Sequence, residues 1–395
     1  MNKFALGLFA AIVATLFVQI AVYETASSNN TLNLYHLLIA GAFLLTFRLR
    51  PSISLTPETL FFVVLATTSV LGWALFGLNL RAVLLPLILM TFSVGVRWHR
   101  FSTPEIRTRV YRNVFLFVVV AILVRNVINF DSLFAIYGRV RSETPAFFLA
   151  SGGRNLEATQ LGMLATLLIG TSFFFPAITV ALLTSLLMMS RSGLLAVFVA
   201  MLLWLFHGRF SGFKFYIGAV SLSLGILGCF ATLDGAYRIP IIERFDMTVE
   251  KDLAADNQGR LAIWSAALEV LKENPLGHGV GNGFPTLNEH LGGHLRENNA
   301  HNVLVEFALD GGLQTSLLFV LIMFSTLRSP KLIDSPEQRF ALTYGVLALV
   351  EYTGYDAIGW FFIGASYAAR HISISSPPEI RLDSSLKSRL RSQHI

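Results

Sequence analysis

Charge is scarce in this chain: Asp, Glu, Lys and Arg make up 14% of its 395 residues, against 54% apolar types, and the mean hydropathy is +0.62. The 33 phenylalanines are spread over many separate apolar runs. No soluble core needs so many, and a bilayer-spanning helix takes about 20 mostly apolar residues, so a polytopic helical membrane protein is expected. Polar/apolar alternation is lacking and the runs are long, which argues against a transmembrane β-barrel. Cysteine is nearly absent: Cys229 stands alone in an apolar run, so no intrachain disulfide forms and the redox compartment is not legible. The net charge of +6 would suggest nucleic acid as the partner of a soluble protein. In a membrane protein its distribution matters more, and no nucleic-acid partner is expected.

The first stretch, "MNKFALGLFAAIVATLFVQIAVY", has the look of a signal peptide, with Lys3 before an apolar run. Because further apolar runs follow, an uncleaved first helix is expected instead. The runs fall at 4–23, 32–47, 58–76, 81–96, 112–129, 156–171, 173–189, 193–207, 213–231, 302–324, 340–356 and 358–369. They predict about 12 transmembrane helices, within a range of 10–12.

Lysine and arginine collect after alternate runs. Arg48 and Arg50 follow the second, Arg97, Arg100, Arg107, Arg109 and Arg112 the fourth, and Arg209 and Lys214 the eighth. Arg328, Lys331 and Arg339 follow the tenth, and the tail carries Arg370, Arg381, Lys387, Arg389 and Arg391. With 12 spans every cluster lies on one face, which puts both termini in the cytoplasm. The resulting division is an N-terminal transmembrane bundle over 1–231, a periplasmic loop over 232–301, C-terminal transmembrane helices over 302–369 and a basic cytoplasmic tail over 370–395.

Residues 130–155 and 232–301 then face away from the cytoplasm. The second loop carries six basic against ten acidic residues, and extramembrane function is expected there. Within it "GRLAIWSAALEVLKE", 259–273, reads as an amphipathic helix with Leu261, Trp264, Leu268 and Leu271 on one face, ended by Asn274-Pro275. That face could rest on the membrane surface or on the bundle.

Arg191 lies in the turn Ser190-Arg191-Ser192-Gly193, on the face where a lone arginine goes against the charge bias. It either snorkels to the interface or points a planar donor fork suited to phosphate into a cavity between helices. Arg260 opens the amphipathic helix; it either pairs with Asp256 at the surface or binds an anion where the first turn's amides favour negative charge. Gly277, Gly279, Gly281 and Gly283 alternate in "GHGVGNG", which is neither a P-loop nor a dinucleotide fingerprint but permits close backbone approach. His301 and Asn302 stand at the start of the tenth run, where a histidine is either interfacial or a general base for a sugar hydroxyl. His278, His290, His294 and His301 match no compact metal motif, and His290/His294 lack the glutamate of a zinc-protease helix, so no metal site is expected. Glu306, Asp310 and Glu351, in or near predicted spans, keep a transporter open as a rival, although the densest polar chemistry lies outside the membrane.

"SRSG" at 190–193, "GRLAIW" at 259–264, "NPLGHGVGNGF" at 274–284 and "HNVLVEFALDGGLQT" at 301–315 together resemble the O-antigen ligase and polymerase-related superfamily of bacterial membrane glycosyltransferases. The resemblance covers about 183–324, and Gly312 and Thr315 stand where the ligase pattern has them after His301-Asn302. It implies a GT-C-like bundle in the bacterial inner membrane with its active site on the periplasmic side. It further implies metal-independent, inverting transfer of a glycan from undecaprenyl pyrophosphate to an acceptor hydroxyl, with no nucleotide sugar. The acceptor would be lipid A–core oligosaccharide in a ligase, the form favoured here, or the growing glycan in a polymerase. On this resemblance Arg191 and Arg260 would bind the pyrophosphate as charge develops on it, and His301 would activate the acceptor. Asn302 would orient His301 or bind substrate, Gly277–Gly283 and Gly312 would shape the loop, and Trp264 with its helix would position it beside the donor in the bilayer. Arg81, Arg139, Arg141 and Arg154 are further arginine candidates without motif support.

Overall fold

The computed structural model describes residues 3–24, 31–46, 55–128, 149, 153–188, 190–207, 260–293, 300, 302–327, 335–350 and 354–375. His301, Arg139, Arg141, Asp256, His294, Glu351, the ninth apolar run and the tail beyond residue 375 lie outside the described residues.

The described chain is a predominantly α-helical bundle. Its helices are α1 (Lys3–Phe17), α2 (Leu34–Thr46), α3 (Pro57–Phe76), α4 (Leu84–Phe101), α5 (Pro104–Ile128), α6 (Gly153–Leu167), α7 (Phe174–Leu187) and α8 (Arg191–Phe206). After these come α9 (Arg260–Glu273), α10 (Gly283–His290), α11 (Val303–Gly311), α12 (Leu313–Leu327), α13 (Pro336–Leu347) and α14 (Ala357–Ser375). A short 3-10 turn, Leu80–Val83, precedes α4.

Local chemistry sets several boundaries. Thr56 caps α3 by accepting from the Thr59 amide, Pro57 occupies the first turn where its missing N–H costs nothing, and Gly77 ends the helix at φ 88°. Ser190 caps α8 through the Gly193 amide. Two apolar runs behave differently from expectation. The first does not continue as helix to residue 23: α1 stops at Phe17, and Ala21–Glu24 (β1) pairs antiparallel with Thr31–Asn33 (β2). The tenth is not one span either, because Gly312 at φ 81° caps α11 and α12 starts afresh.

Pro57–Phe76 and Leu80–Phe101 are long and apolar enough to cross a membrane, and Leu6–Phe17, Leu34–Leu45, Phe174–Leu186, Arg191–Phe206 and Leu313–Leu327 are shorter apolar helices. Each buries one stripe: on α3 it is Phe61, Leu65, Thr68, Ser69 and Gly72. The opposite faces are apolar too. Leu71 and Leu75 of α3, and Val120, Val124 and Val127 of α5, are all exposed. A helix apolar on every side belongs in a core or in lipid. Where helices cross, glycine lets backbones touch: a Cβ on Gly95 of α4 would lie 2.0 Å from the Phe361 carbonyl oxygen, and one on Gly364 of α14 2.1 Å from that of Phe92.

The bundle has two distinct ends. At the first, charged groups are buried in networks. Arg107 Nε stands 2.8 Å from Glu337, which also accepts from the Tyr111 hydroxyl at 2.7 Å and from Ser335 Oγ at 2.8 Å. Arg339 donates to the Thr166 and Ile169 carbonyls at the end of α6, and lies beside His207 at the end of α8. Arg370 pairs with Glu58 and donates to Ser325 Oγ. The C-terminal ends of α4, α6, α8, α12 and α14 meet here with the N-terminal ends of α3, α5 and α13. The opposite ends of the same helices form the second face, and the site is built there.

Candidate functional site

Three segments converge at the second end: the last turns of α3, the glycine loop between α9 and α10, and the short helix α11. The loop's alternating glycines adopt one backbone conformation, with φ 82° at Gly277, 86° at Gly279 and 89° at Gly281. Side chains disfavour that region, so glycine is required at each. Space is short as well. A Cβ on Gly277 would meet the Gly312 amide nitrogen at 2.5 Å, one on Gly281 would meet Arg81 Cβ at 2.5 Å, and one on Gly283 would meet Asp310 Oδ1 at 2.6 Å.

Hydrogen bonds hold the loop on both sides. Toward α3, Trp73 Nε1 donates to the Val280 carbonyl at 3.1 Å, and Ser69 Oγ accepts from the Val280 amide at 3.3 Å. Asn79 donates to the Gly281 carbonyl at 2.7 Å, and Asn282 donates to the Gly77 carbonyl at 2.9 Å. Toward α11, the His278 and Gly279 amides donate to the Leu309 and Asp310 carbonyls at 2.9 and 2.8 Å. The Asp310 carboxylate takes the Gly281 amide at 3.2 Å on Oδ2 and the Gly283 amide at 2.8 Å on Oδ1, while Tyr355 OH donates to Oδ2 at 2.6 Å. One turn earlier Glu306 accepts from the Gly354 amide at 2.7 Å. Two of the three acidic residues that kept a transporter open, Glu306 and Asp310, therefore hold loop backbone.

The two ends of α11 are fixed by residues singled out in the sequence. Asn302 is its N-cap, with Oδ1 accepting from the Leu304 and Val305 amides at 2.9 and 3.2 Å. The Val303 amide donates to the Ala348 carbonyl at 2.9 Å, which docks this start on the end of α13. At the other end the Gly312 amide closes on the Ala308 carbonyl at 2.8 Å, and Thr315 Oγ1 donates to the Gly311 carbonyl at 2.6 Å. The Gly312/Thr315 spacing thus makes the break between α11 and α12.

α9 lies against α10 and α11, with Ile263, Ala266, Ala267, Val270 and Leu271 buried among Phe284, Leu287, Ala308 and Leu309. This differs from the expected face, since Leu268 is 60% exposed. The small Ala266–Ala267 pair allows the close approach, a signal that a search for large apolar residues overlooks. Trp264 Nε1 donates to the Ala300 carbonyl at 2.9 Å. Arg260 begins α9 one turn before Trp264, so its backbone stands near the residues flanking His301.

Arg191 is exposed at the start of α8, in a polar seam. Thr159 Oγ1 donates to Ser192 Oγ at 3.0 Å, and Ser190 Oγ donates to the Asn155 carbonyl at 3.3 Å. Among the described residues α8 packs on α6, α7 and α13. Its C-terminal end meets the start of α13, so its N-terminal end points the way of Ala348, Val303 and the start of α11. Arg191 and Arg260 therefore belong to different walls of the same end. Arg81, in the 3-10 turn beside Gly281, stands at this end as well.

His278 is buried, bonds the Leu309 carbonyl through Nδ1 at 3.1 Å and packs on Phe76 at 4.8 Å between ring centroids. His290 faces Glu269 at 3.3 Å. Among the described residues no group of three or more His, Cys, Asp or Glu side chains is placed to hold a metal ion. Sequence reasoning missed Asp310 and Glu306 as loop holders; their four-residue spacing on one helical face was the available signal.

A comparison with curated proteins finds no match to the chain. The family comparison does: residues 176–320, from α7 into α12, match the O-antigen ligase family model, and the matched segment holds Arg191, Arg260 and His301.

Proposed function

We propose that the protein is a multi-pass inner-membrane glycosyltransferase of about 12 spans that moves a glycan from undecaprenyl pyrophosphate to an acceptor hydroxyl, with lipid A–core oligosaccharide as the acceptor. Both termini lie in the cytoplasm, and the end that carries the glycine loop faces the periplasm. The observation that carries this reading is the Trp264–Ala300 hydrogen bond, which sets the helix begun by Arg260 against the residues that flank His301, inside the matched family segment. The outward apolar faces of α3 and α5 support a lipid environment.

The chemistry follows from the residue types. Neutral His301 removes the proton from the acceptor hydroxyl, whose oxygen attacks the anomeric carbon opposite the leaving group and inverts it. The sugar–oxygen bond breaks and its electrons pass to the pyrophosphate. Arg191 and Arg260 stabilise the added negative charge from two walls. The glycine loop and α9 hold this geometry while the lipid-borne donor lies alongside, so orientation replaces bimolecular search.

The test uses purified protein, undecaprenyl-pyrophosphate-linked glycan, and lipid A–core present or absent, with the mass of each lipid-linked product as readout. Transfer to lipid A–core that is lost in His301→Ala is expected. Longer glycans on undecaprenyl pyrophosphate without lipid A–core would make the protein a polymerase. Absence of any product from a validated donor would overturn transfer and return Glu306 and Asp310 to a transporter reading.

A further inference from the structure

We infer that Asp310 is a positioning residue of this site, acting through the glycine loop; the inference rests on the transferase reading above. Asp310 is 3% exposed, near the C-terminal end of a nine-residue helix whose other end follows His301 directly. Its carboxylate lies within electrostatic range of Arg81 at the same end of the bundle. All three of its described hydrogen-bond partners belong to two loops: the Gly281 and Gly283 amides, and the Tyr355 hydroxyl of the segment before α14.

The route from these bonds to the chemistry is short. The loop runs back from Gly281 through Gly277 and Pro275 into α9, which carries Trp264 and begins at Arg260. α9 and the loop lie against the same helix that His301 precedes, α9 through its buried alanine face and the loop through Asp310. Asp310 therefore fixes one end of the spacing between the Arg260-bearing helix and the start of α11. Backbone bonds from the His278 and Gly279 amides hold the first half of the loop to the Leu309 and Asp310 carbonyls, whereas the Gly281 and Gly283 amides depend on the Asp310 carboxylate. Releasing those two loosens the turn into α10, against which α9 packs. A misplacement of about 1 Å in a transfer site costs about 100-fold in rate.

Asp310→Asn is nearly isosteric and keeps one acceptor oxygen, but places an N–H₂ where an acceptor stood. It is measured in the full-length protein in lipid nanodiscs with undecaprenyl-pyrophosphate-linked glycan and lipid A–core. The readouts are the number of donor-binding sites per chain, kcat per binding site, and hydrogen exchange at the Gly281 and Gly283 amides. The expected result is an unchanged number of binding sites, kcat down by about 100-fold, and faster exchange at one or both amides. Tyr355→Phe, which leaves both amide bonds in place, should keep kcat within about threefold of wild type and leave exchange slow.

Loss of kcat that merely parallels loss of binding sites would overturn the positioning role, since a folding defect would then suffice. So would an Asp310→Asn protein as active as wild type, or one whose amides stay protected. A Tyr355→Phe protein as impaired as Asp310→Asn would shift the role to the hydroxyl and overturn the loop route. A wild-type protein that binds donor without transferring it overturns the transferase reading itself, and the positioning role with it.

Discussion

Gly72→Ala sets two physical effects of opposite sign against each other. Gly72 sits inside α3, and replacing an interior helical glycine by alanine is worth about 1 kcal/mol of added stability from helix propensity alone. Yet a Cβ there would stand 2.3 Å from the Gly279 amide nitrogen, 2.3 Å from the His278 carbonyl carbon and 2.4 Å from its oxygen. These are backbone atoms, so no side chain can swing aside. The loop would have to move away by about 1 Å to reach ordinary contact distance. Such a shift breaks or stretches the Val280 amide bond to Ser69 and the Trp73 bond to the Val280 carbonyl, and strains those from His278 and Gly279 to α11. Two buried hydrogen bonds lost at about 1–3 kcal/mol each outweigh the propensity gain, leaving a net destabilisation of about 1–5 kcal/mol. Gly41 of α2 is the control, because a Cβ there meets nothing within 4 Å. Thermal unfolding in detergent, followed by tryptophan fluorescence, should show Gly41→Ala raising the midpoint and Gly72→Ala lowering it. A rise in both would refute the backbone-to-backbone docking of the loop on α3.

Arg191→Ala should lower kcat by about 100- to 1000-fold in the glycan-transfer assay while the thermal midpoint hardly moves, since the residue is exposed and only its backbone belongs to the helix start. Asn302→Ala removes the α11 cap and should cost about 1 kcal/mol in the same unfolding measurement; an unchanged midpoint would deny the capping role. Transfer should fall at acidic pH, because a protonated His301 can no longer accept the hydroxyl proton. A flat profile from pH 7 to 5 would remove His301 as the base.

The helical bundle was legible because apolar length is a strong signal: the run at 58–76 is α3, Pro57–Phe76, and that at 193–207 is α8, Arg191–Phe206. The failures have physical causes. Residues 18–23, "VQIAVY", continue the apolar run of α1 into the first strand, so hydropathy does not separate Phe17 from Ala21. The tenth run hid a helix end because its apolar flanks, 303–309 and 317–324, outweigh the short polar dip "DGGLQTS" at 310–316 where the backbone breaks. Within the site, the glycine alternation announced a tight approach but not its partner. That partner, Asp310, lies 27–29 residues away, a separation that local patterning does not encode. The apolar face of α9 was only partly legible because Ala266 and Ala267 join Ile263, Val270 and Leu271 in it, while Leu268 is exposed.

The broken tenth run also bears on the order in which the chain assembles. To an insertion machinery reading hydropathy, 302–324 is one continuous segment, yet α11 is held by groups made at very different times. The glycine loop, which precedes it in synthesis, supplies the Gly281 and Gly283 amides, whereas Gly354 and Tyr355 emerge some forty residues later. α11 can begin to dock as soon as it is made, but its full set of bonds closes only when the segment before α14 arrives. Synthesis arrested ahead of Gly354 would leave Glu306 and Asp310 without those two partners. The segment before α14 thereby doubles as a completion check on a site whose candidate residues are all encoded upstream of it.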